Sequence, residues 1–334
     1  MFISNTHFIE IMKFCLLDTI DPHYNLAVEE YFFNTSLEEV FLLWQNSPTV
    51  VIGKNQNAYA EINADYLEKN CVKLARRITG GGAVFHDGGN VNYSLIIPNA
   101  KTEGIDFSSY CQPIIKALSS LGVSVSLSGR NDLVLDNGKK VSGNAQHRVG
   151  NRVLHHGTLL FSSDLTALKK ALKVSAEKLE SKAVKSVRSR VQNLSDFIPL
   201  SVDDFIAYLS AFIIREYKAE IFEVESSSEI DALYERNKSI GWLYPEKSML
   251  SDYSIVKKQR FPFGAVEVSL NLKNDVIESV SINGDFFEVN KVSLLEKLLE
   301  NATLSSLSKL LLEVDVSSYI SGMKNEDFIK LLNS

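Results

Sequence analysis

Cysteine is scarce in this chain of 334 residues: Cys15, Cys71 and Cys111 stand far apart, with no CxxC pair among them. That excludes a disulfide framework and a cysteine zinc site, and it fits a reducing compartment, so a cytoplasmic location is expected. Positive charge is not in excess either. The formal net charge of −6 denies the molecule the broad basic field of a nucleic-acid binder, and no nucleic-acid partner is expected. Long apolar runs are missing. No stretch approaches the ~18 uninterrupted apolar residues of a membrane span. MFISNTHFIEIMKFCLLDTID lacks the basic start and unbroken apolar core of a signal peptide, so no membrane association is expected. Internal repeats and low-complexity segments are absent as well.

What is present is globular composition, 45% hydrophobic and 23% charged, which supplies ample material for a core. The length exceeds most single cores, so one large α/β domain with an appendage, or two domains, is expected. A strand is expected at Lys13 to Leu17, then a helix opened by Pro22, where a first helical turn tolerates proline. EVFLLWQ and TVVIG are rich in β-formers and separated by Asn46-Ser47-Pro48, which predicts a hairpin. DYLEKN reads as a helix leading into the strand VKLARRIT. NVNYSLIIP alternates as a half-buried strand would, and a helix is expected from about Phe107 to Leu121. SVSLSG, DLVLDNGKKVSG and NRVLHHGTLLFSS read as consecutive strands of an antiparallel meander. Residues 164 to 240 are helical by pattern, broken by the basic loop KAVKSVRSR. Beyond GWLYPEKSMLSDY, the segment FGAVEVSLNLKNDVIESVSINGDFF predicts three short strands, followed by two or three amphipathic helices. The shift in composition places a domain boundary near residue 247, dividing the chain into 1–247 and 248–334.

The densest chemistry lies in RRITGGGAVFHDGGN, residues 76 to 90. Three successive glycines permit φ above zero and carry no side chains, so backbone N–H groups can turn inward on an anion; a tight turn in a sheet is the equally simple alternative. The glycines lead into a strand, and no lysine follows them, which disfavours both the Walker A loop and the dinucleotide fingerprint. Lys140 in KKVSGNA reads by itself as an exposed charge at a hairpin edge, and Asn131 and Asp132 in GRND suit a phosphate or magnesium contact or, equally, an Asx turn between strands. His155-His156-Gly157-Thr158 lacks the i, i+4 spacing of a helical zinc pair.

Taken in order, RRITGGGAVFHDGGNVNYS, SGRNDLVLDNGKKVSGNAQ, HHGTLLFSSDL and ESKAVKSVRSRVQNL resemble the lipoate-protein ligases, and flanking segments extend the resemblance over nearly the whole chain. The resemblance implies an α+β fold: a biotin/lipoate ligase-like catalytic domain with antiparallel and mixed sheets and helices, plus a small α+β accessory domain. It implies activation of lipoate, or octanoate, by MgATP to an acyl-AMP, then transfer to a lysine of a lipoyl carrier domain, the E2 subunit of a 2-oxoacid dehydrogenase or the glycine cleavage H protein. No tightly bound prosthetic group is implied.

By the same resemblance Lys140 is the catalytic lysine, and Arg77 contacts the ligand beside the adenylate-wrapping loop Gly80, Gly81 and Gly82. Val84, Phe85, His86, Asp87 and Asn90 follow on the nucleotide side, with His86 a candidate base. Asn131 and Asp132 meet phosphate, Asp132 also magnesium. Gly143 and Ala145 flank the lysine. His156, Gly157 and Thr158 face the acyl pocket, with Gly157 making room for the ligand, and Ser186 and Arg188 lie in a loop that closes over lipoate. Thioester-forming transferases of this fold carry cysteine where this chain reads SLSGRND, or after the HG motif, where it has none. The alternative is a lipoyl or octanoyl transferase that starts from lipoyl-AMP or an acyl carrier. It stays open because WLYPEKSMLSDY has Pro245 where the ligases commonly show glycine and a Ser-Pro.

Overall fold

A computed structural model describes residues 12–102, 104–173, 191–245 and 253–333. Its centre is an eight-stranded sheet in the order β11-β1-β2-β6-β10-β9-β8-β7. The strands are β1 (Lys13–Leu16), β2 (Val40–Trp44), β6 (Asn90–Ile97), β7 (Val125–Ser128), β8 (Asp132–Leu135), β9 (Lys140–Val149), β10 (Arg152–Leu160) and β11 (Glu220–Ile221). Pairing is parallel only around β1 and antiparallel elsewhere. A second sheet, β4-β3-β5, is built from β3 (Thr49–Ile52), β4 (Lys73–Arg76) and β5 (Val84–His86).

Both faces of the large sheet are covered. Phe41, Tyr93 and Leu95 point into one core with the helices Gln112–Ser120 and Val202–Tyr217. Leu42, Trp44 and Ile96 point into another with helix α1 (Pro22–Thr35). This two-sided cover corrects the reading of β6 as half-buried: every residue of it is buried, because it is a central strand between two layers.

The expected meander β7-β8-β9-β10 forms, turning at Gly138 (φ 75°) and Gly150 (φ 58°), left-handed positions that suit glycine. The hairpin expected between β2 and β3 does not form. β2 pairs with β1 and β6, whereas β3 pairs with β4 and β5 in the other sheet, so Pro48 ends one sheet and the chain crosses to the next. The helix expected over Phe107 to Leu121 is broken at Cys111 into Phe107–Tyr110 and Gln112–Ser120, the second carrying Pro113 in its first turn.

The C-terminal sheet is β12 (Ile255–Phe261), β13 (Gly264–Lys273) and β14 (Val276–Gly284), a meander covered by Val292–Leu299 and Asn325–Asn333. Its core draws on residues from Phe261 to Leu332 only. The boundary expected near residue 247 falls outside the described residues, as does the loop with Ser186 and Arg188. No described helix is long and apolar enough to cross a membrane.

The C-terminal part reaches the larger body through Phe263 and residues 284 to 288. The Gly284 N–H donates to Asn55 O (2.8 Å) and the Gly81 N–H to Phe286 O (3.3 Å). Arg130 donates to the carbonyls of Phe263 and Asp285, and its guanidinium lies 4.9 Å from the Phe287 ring centroid. Such a stacked cation, satisfied by carbonyls, is a directional tie between the two parts.

Candidate active site

Four strands each contribute one residue to a row beneath a cavity. Trp44 of β2 is in register with Asn92 of β6, Asn92 with Thr158 of β10, and Thr158 Oγ1 accepts the Gly143 N–H of β9 (3.2 Å). All four line a cavity of about 340 Å³. At one end Trp44 packs with Leu26 and Val51, a wholly apolar wall. At the other end a Cβ on Gly143 would lie 2.6 Å from Lys140 Nζ, so glycine there leaves the lysine its place over the strand. With strands spaced ~4.8 Å apart, the row from Trp44 to Gly143 runs about 14 Å.

Lys140 opens β9, just after the Asp136-Asn137-Gly138 turn, and its Nζ is 2.8 Å from Asp132 Oδ1 on β8. Both side chains are about one-third exposed (30% and 38%), so this pair is hydrated at the rim and can open for a ligand. Arg130 and Arg260 complete a polar end in which three cations meet Asp132 and Asp285. The excess is positive, as two meeting anions require.

Behind the cavity runs a continuous hydrogen-bond chain. Trp44 Nε1 donates to Ser94 Oγ (2.9 Å), and Ser94 to Glu29 Oε1 (2.6 Å). Glu29, buried on α1, also accepts from His156 Nδ1 (2.8 Å). His156 Nε2 is hydrogen-bonded to Thr79 Oγ1 (2.9 Å), and Thr79 Oγ1 accepts from Arg77 Nε (2.9 Å). Arg77 ends the chain by holding the carbonyls of Gly80 and Gly82, each at 2.8 Å, and of Val51 at 3.1 Å. Burial pushes its pKa down to about 10, which still leaves it a cation at neutral pH. The glycine loop is thus tied through side chains to the tryptophan of the apolar wall.

The residues expected from sequence distribute unevenly. Lys140, Asn131, Asp132, Gly82, Val84, His86, Gly143, Ala145, His156, Gly157 and Thr158 line the cavity, as does Arg77. Phe85 is a core residue of the small sheet, and Asn90 is buried at the start of β6 with its amide on Asn92. Asp87 holds a turn, accepting from the Gly89 and Asp164 N–H groups. Gly80 and Gly81 sit against Phe286 and Phe287 of the C-terminal part. The space left by Gly157 is filled by Tyr93 and Asn144 rather than by the cavity: a Cβ there would meet Asn144 Oδ1 at 2.2 Å. Arg76 points away from Arg77, as strand alternation requires, and donates to the carbonyls of Gly53, Lys54, Gln56, Trp242 and Leu243.

His86 is poorly suited to act as a base. Asn46 donates to its Nδ1 (3.0 Å), and burial with Arg77 nearby pushes its pKa down to about 3. No cysteine lines the cavity. Cys15 and Cys111 are buried, with pKa values pushed up to about 11 and about 12 by desolvation, the reverse of an activated thiol.

Residues 21–214 match the family model described as the lipoyl protein ligase A/B catalytic domain, and residues 251–332 match the bacterial lipoate protein ligase C-terminus. The chain belongs to the lipoate-protein ligase family. Lipoate-protein ligase LplJ of Bacillus subtilis (strain 168) is 38% identical, over 93% of this chain and 97% of its own length. Lipoate-protein ligase 1 of Staphylococcus aureus (strain Mu50 / ATCC 700699) is 36% identical, over 96% and 100%. Among solved structures, P. falciparum LipL1 in complex with lipoate has a similar fold, with TM-score 0.77 at 22% identity over 96% of this chain and 97% of that one. A bipartite ligase from Thermoplasma acidophilum, described with its E2 lipoyl domain, gives TM-score 0.61 at 27% identity, over 73% and 99%. A lipoate-protein ligase A bound with ATP gives 0.58 at 25%, over 70% and 98%.

For this ligase, sequence reasoning overlooked Trp44, Glu29, Asn92 and Asn144, and the C-terminal residues Arg260 and Asp285. Trp44 and Asn92 sit in strands that read simply as core, and only the register shows them side by side. Arg260 and Asp285 are brought to the cavity by the docking of the C-terminal sheet, for which no local pattern exists.

Proposed function

We propose that this ligase joins free lipoate to ATP, forming lipoyl-AMP and releasing pyrophosphate, and then passes the lipoyl group to a lysine of a carrier domain. The observation that carries this reading is the row from Trp44 to Gly143. It runs from an apolar end, where Trp44 meets Leu26 and Val51, to a lysine at the other, matched to an acid with an apolar tail. An extended eight-carbon acid spans about 9 Å at the ~1.2 Å per bond of an extended chain, so it fits within the row.

In the first step a lipoate oxygen attacks the α-phosphorus and pyrophosphate leaves. Lys140, with Arg130 and Arg260 near it, would stabilise the charge on the carboxylate and phosphate oxygens as it develops. MgATP is the substrate form, and Asp132 is a carboxylate suited to meet its metal once Lys140 turns to the ligand. In the second step a neutral carrier lysine attacks the acyl carbonyl, the C–N bond forms, AMP leaves and the amine gives up a proton. The ATP-bound and E2-associated relatives support both halves of the reading. E2 subunits and the glycine cleavage H protein are the carriers proposed, the cytoplasm the location, with 1–247 as the catalytic unit and 248–334 as the accessory one.

Lys140→Ala tests the assignment through lipoate-dependent exchange of pyrophosphate into ATP. Removing an electrostatic anchor of this kind should lower the exchange about 100-fold or more. The rim position predicts an unchanged melting temperature. Exchange near the wild-type rate in the folded variant would contradict the role given to Lys140.

A further inference from the structure

One residue along the strands from the row of Trp44 and Asn92 lies a second row, on the opposite face of the sheet as alternation requires. Tyr93 of β6 is in register with Gly157 of β10, and Gly157 with Asn144 of β9. A Cβ on Gly157 would lie 2.2 Å from Asn144 Oδ1 and 2.6 Å from Tyr93 Cε1. Glycine therefore lets the tyrosine ring cross β10 and reach a strand two spacings, about 10 Å, away. The Tyr93 hydroxyl bonds to Asn144 Oδ1, and Asn144 Nδ2 donates to the Asn131 carbonyl (3.0 Å), which also takes the Asn144 backbone N–H (3.0 Å). Asn131 returns its own Nδ2 to the Asn144 carbonyl. Main-chain carbonyls only accept, so both amides are fixed in orientation and Asn144 Oδ1 takes the proton of Tyr93.

The other side of the phenol is fixed as well. Gln146 accepts the Asp106 N–H at Oε1 (3.0 Å) and donates from Nε2 to the Asp106 carbonyl (2.6 Å) and to His155 Nδ1 (3.0 Å). The ring proton of His155 is then on Nε2, 3.4 Å from the Tyr93 hydroxyl. That hydroxyl, its pKa pushed well above the ordinary value by burial, accepts there and donates onward. The chain ends at the turn Gly129-Arg130-Asn131 between β7 and β8, with φ 60° at Gly129. This turn carries Arg130 and leads into Asp132, both at the polar end of the cavity.

A glycine inside a central strand weakens it and marks a close approach, and here the approach brings a side-chain hydroxyl to the base of that turn. We infer that Tyr93, acting through Asn144, is a positioning residue for the activation step: it holds the turn at residues 129–131 so that Arg130 and Asp132 meet the phosphates and metal of MgATP. This inference rests on the ligase reading above, in which those two residues serve ATP. Transfer starts from lipoyl-AMP with pyrophosphate already gone, and it draws on Lys140, which β9 carries independently of the turn.

The test measures both half-reactions with the full-length protein: lipoate-dependent exchange of pyrophosphate into ATP, and transfer from synthetic lipoyl-AMP to an apo lipoyl carrier domain without ATP. Tyr93→Phe keeps the ring over Gly157 and removes only the hydroxyl. It should lower kcat of exchange about 10- to 100-fold, the effect of a small displacement of the reacting groups, and leave the rate of transfer at its wild-type value. Asn144→Ala cuts the same chain one step nearer the turn and should lower exchange at least as far. The double variant should be no slower in exchange than Asn144→Ala alone, because residues of one network do not add. Wild-type exchange in Tyr93→Phe, equal loss of exchange and transfer in it, or additive losses in the double variant would overturn the inference and leave the ligase reading standing. Absence of exchange in the wild type would overturn the ligase reading and this inference with it.

Discussion

Two buried imidazoles, His86 and His155, and the half-buried His147 set the acid response of the fold. Burial pushes His86 and His155 down to about 3 and His147 to about 4, from an ordinary value of 6.5. Two of them are held neutral by their hydrogen-bond partners: His86 by the Asn46 donor, and His155 between Gln146 (3.0 Å) and the Cys111 thiol. In the unfolded chain the same rings take up protons near 6.5. Between that value and the folded values the unfolded chain binds more protons, so stability is full above 6.5 and is lost as pH falls, by about 1.4 kcal/mol per pH unit for each ring. Denaturant melts at pH 7.5, 6.0 and 5.0 should show a steep loss below 6.5. A flat profile there would contradict the neutral, buried state of the rings.

Side chains also differ in how far the sequence exposes their task. Lys140 and Asp132 reach the cavity because a tight turn and a two-strand hairpin place them, and turns of this kind are legible in local sequence. Arg77 looked like a ligand contact, yet most of its N–H groups hold main-chain carbonyls of the glycine loop and of Val51. A buried arginine is satisfied wherever acceptors converge, and which acceptors those are is decided by the fold.

At the scale of elements, the glycine loop works by close approach. A Cβ on Gly80 would lie 2.3 Å from Phe286 O, and Gly81, at φ 91°, places its N–H on that same carbonyl. Backbone meets backbone there, and a methyl group cannot be accommodated without separating the loop from the C-terminal sheet. Gly80→Ala should therefore retain the core of each part while weakening the contact between them. Limited proteolysis should separate the two parts faster than in the wild type, accompanied by lower activity, whereas unchanged protection would show that the contact is dispensable. This use of glycine was legible only in part: three glycines announced a close approach, but to a ligand, and the structure adds a second partner in Phe286. The failed hairpin between β2 and β3 has a similar origin. Alternation and a proline turn fix that two strands are separated, while the partners of each are set by the layers that the apolar faces must cover.

For the whole molecule, the two parts meet where the chemistry is proposed. Arg130 of the larger body and Asp285 of the smaller are joined across the cavity wall, and Arg260 adds a charge from β12. The succession of strands along the chain, the central meander and the separate C-terminal sheet were largely legible, because turn residues and a change of composition mark them. The joint itself was not, since it rests on tertiary contacts between segments more than 100 residues apart. The cations proposed to act on the two anions come from both parts, Lys140 and Arg130 from one and Arg260 from the other, so the account stands on whether the whole chain completes both steps.

The deciding measurement is the mass of a purified apo lipoyl carrier domain after incubation with the full-length protein. One reaction contains lipoate, Mg²⁺ and ATP, and a parallel one contains synthetic lipoyl-AMP without ATP. The account predicts a gain of one lipoyl group in both reactions. Modification from lipoyl-AMP alone would contradict it, showing a transferase without activation and turning attention to Pro245 at the junction.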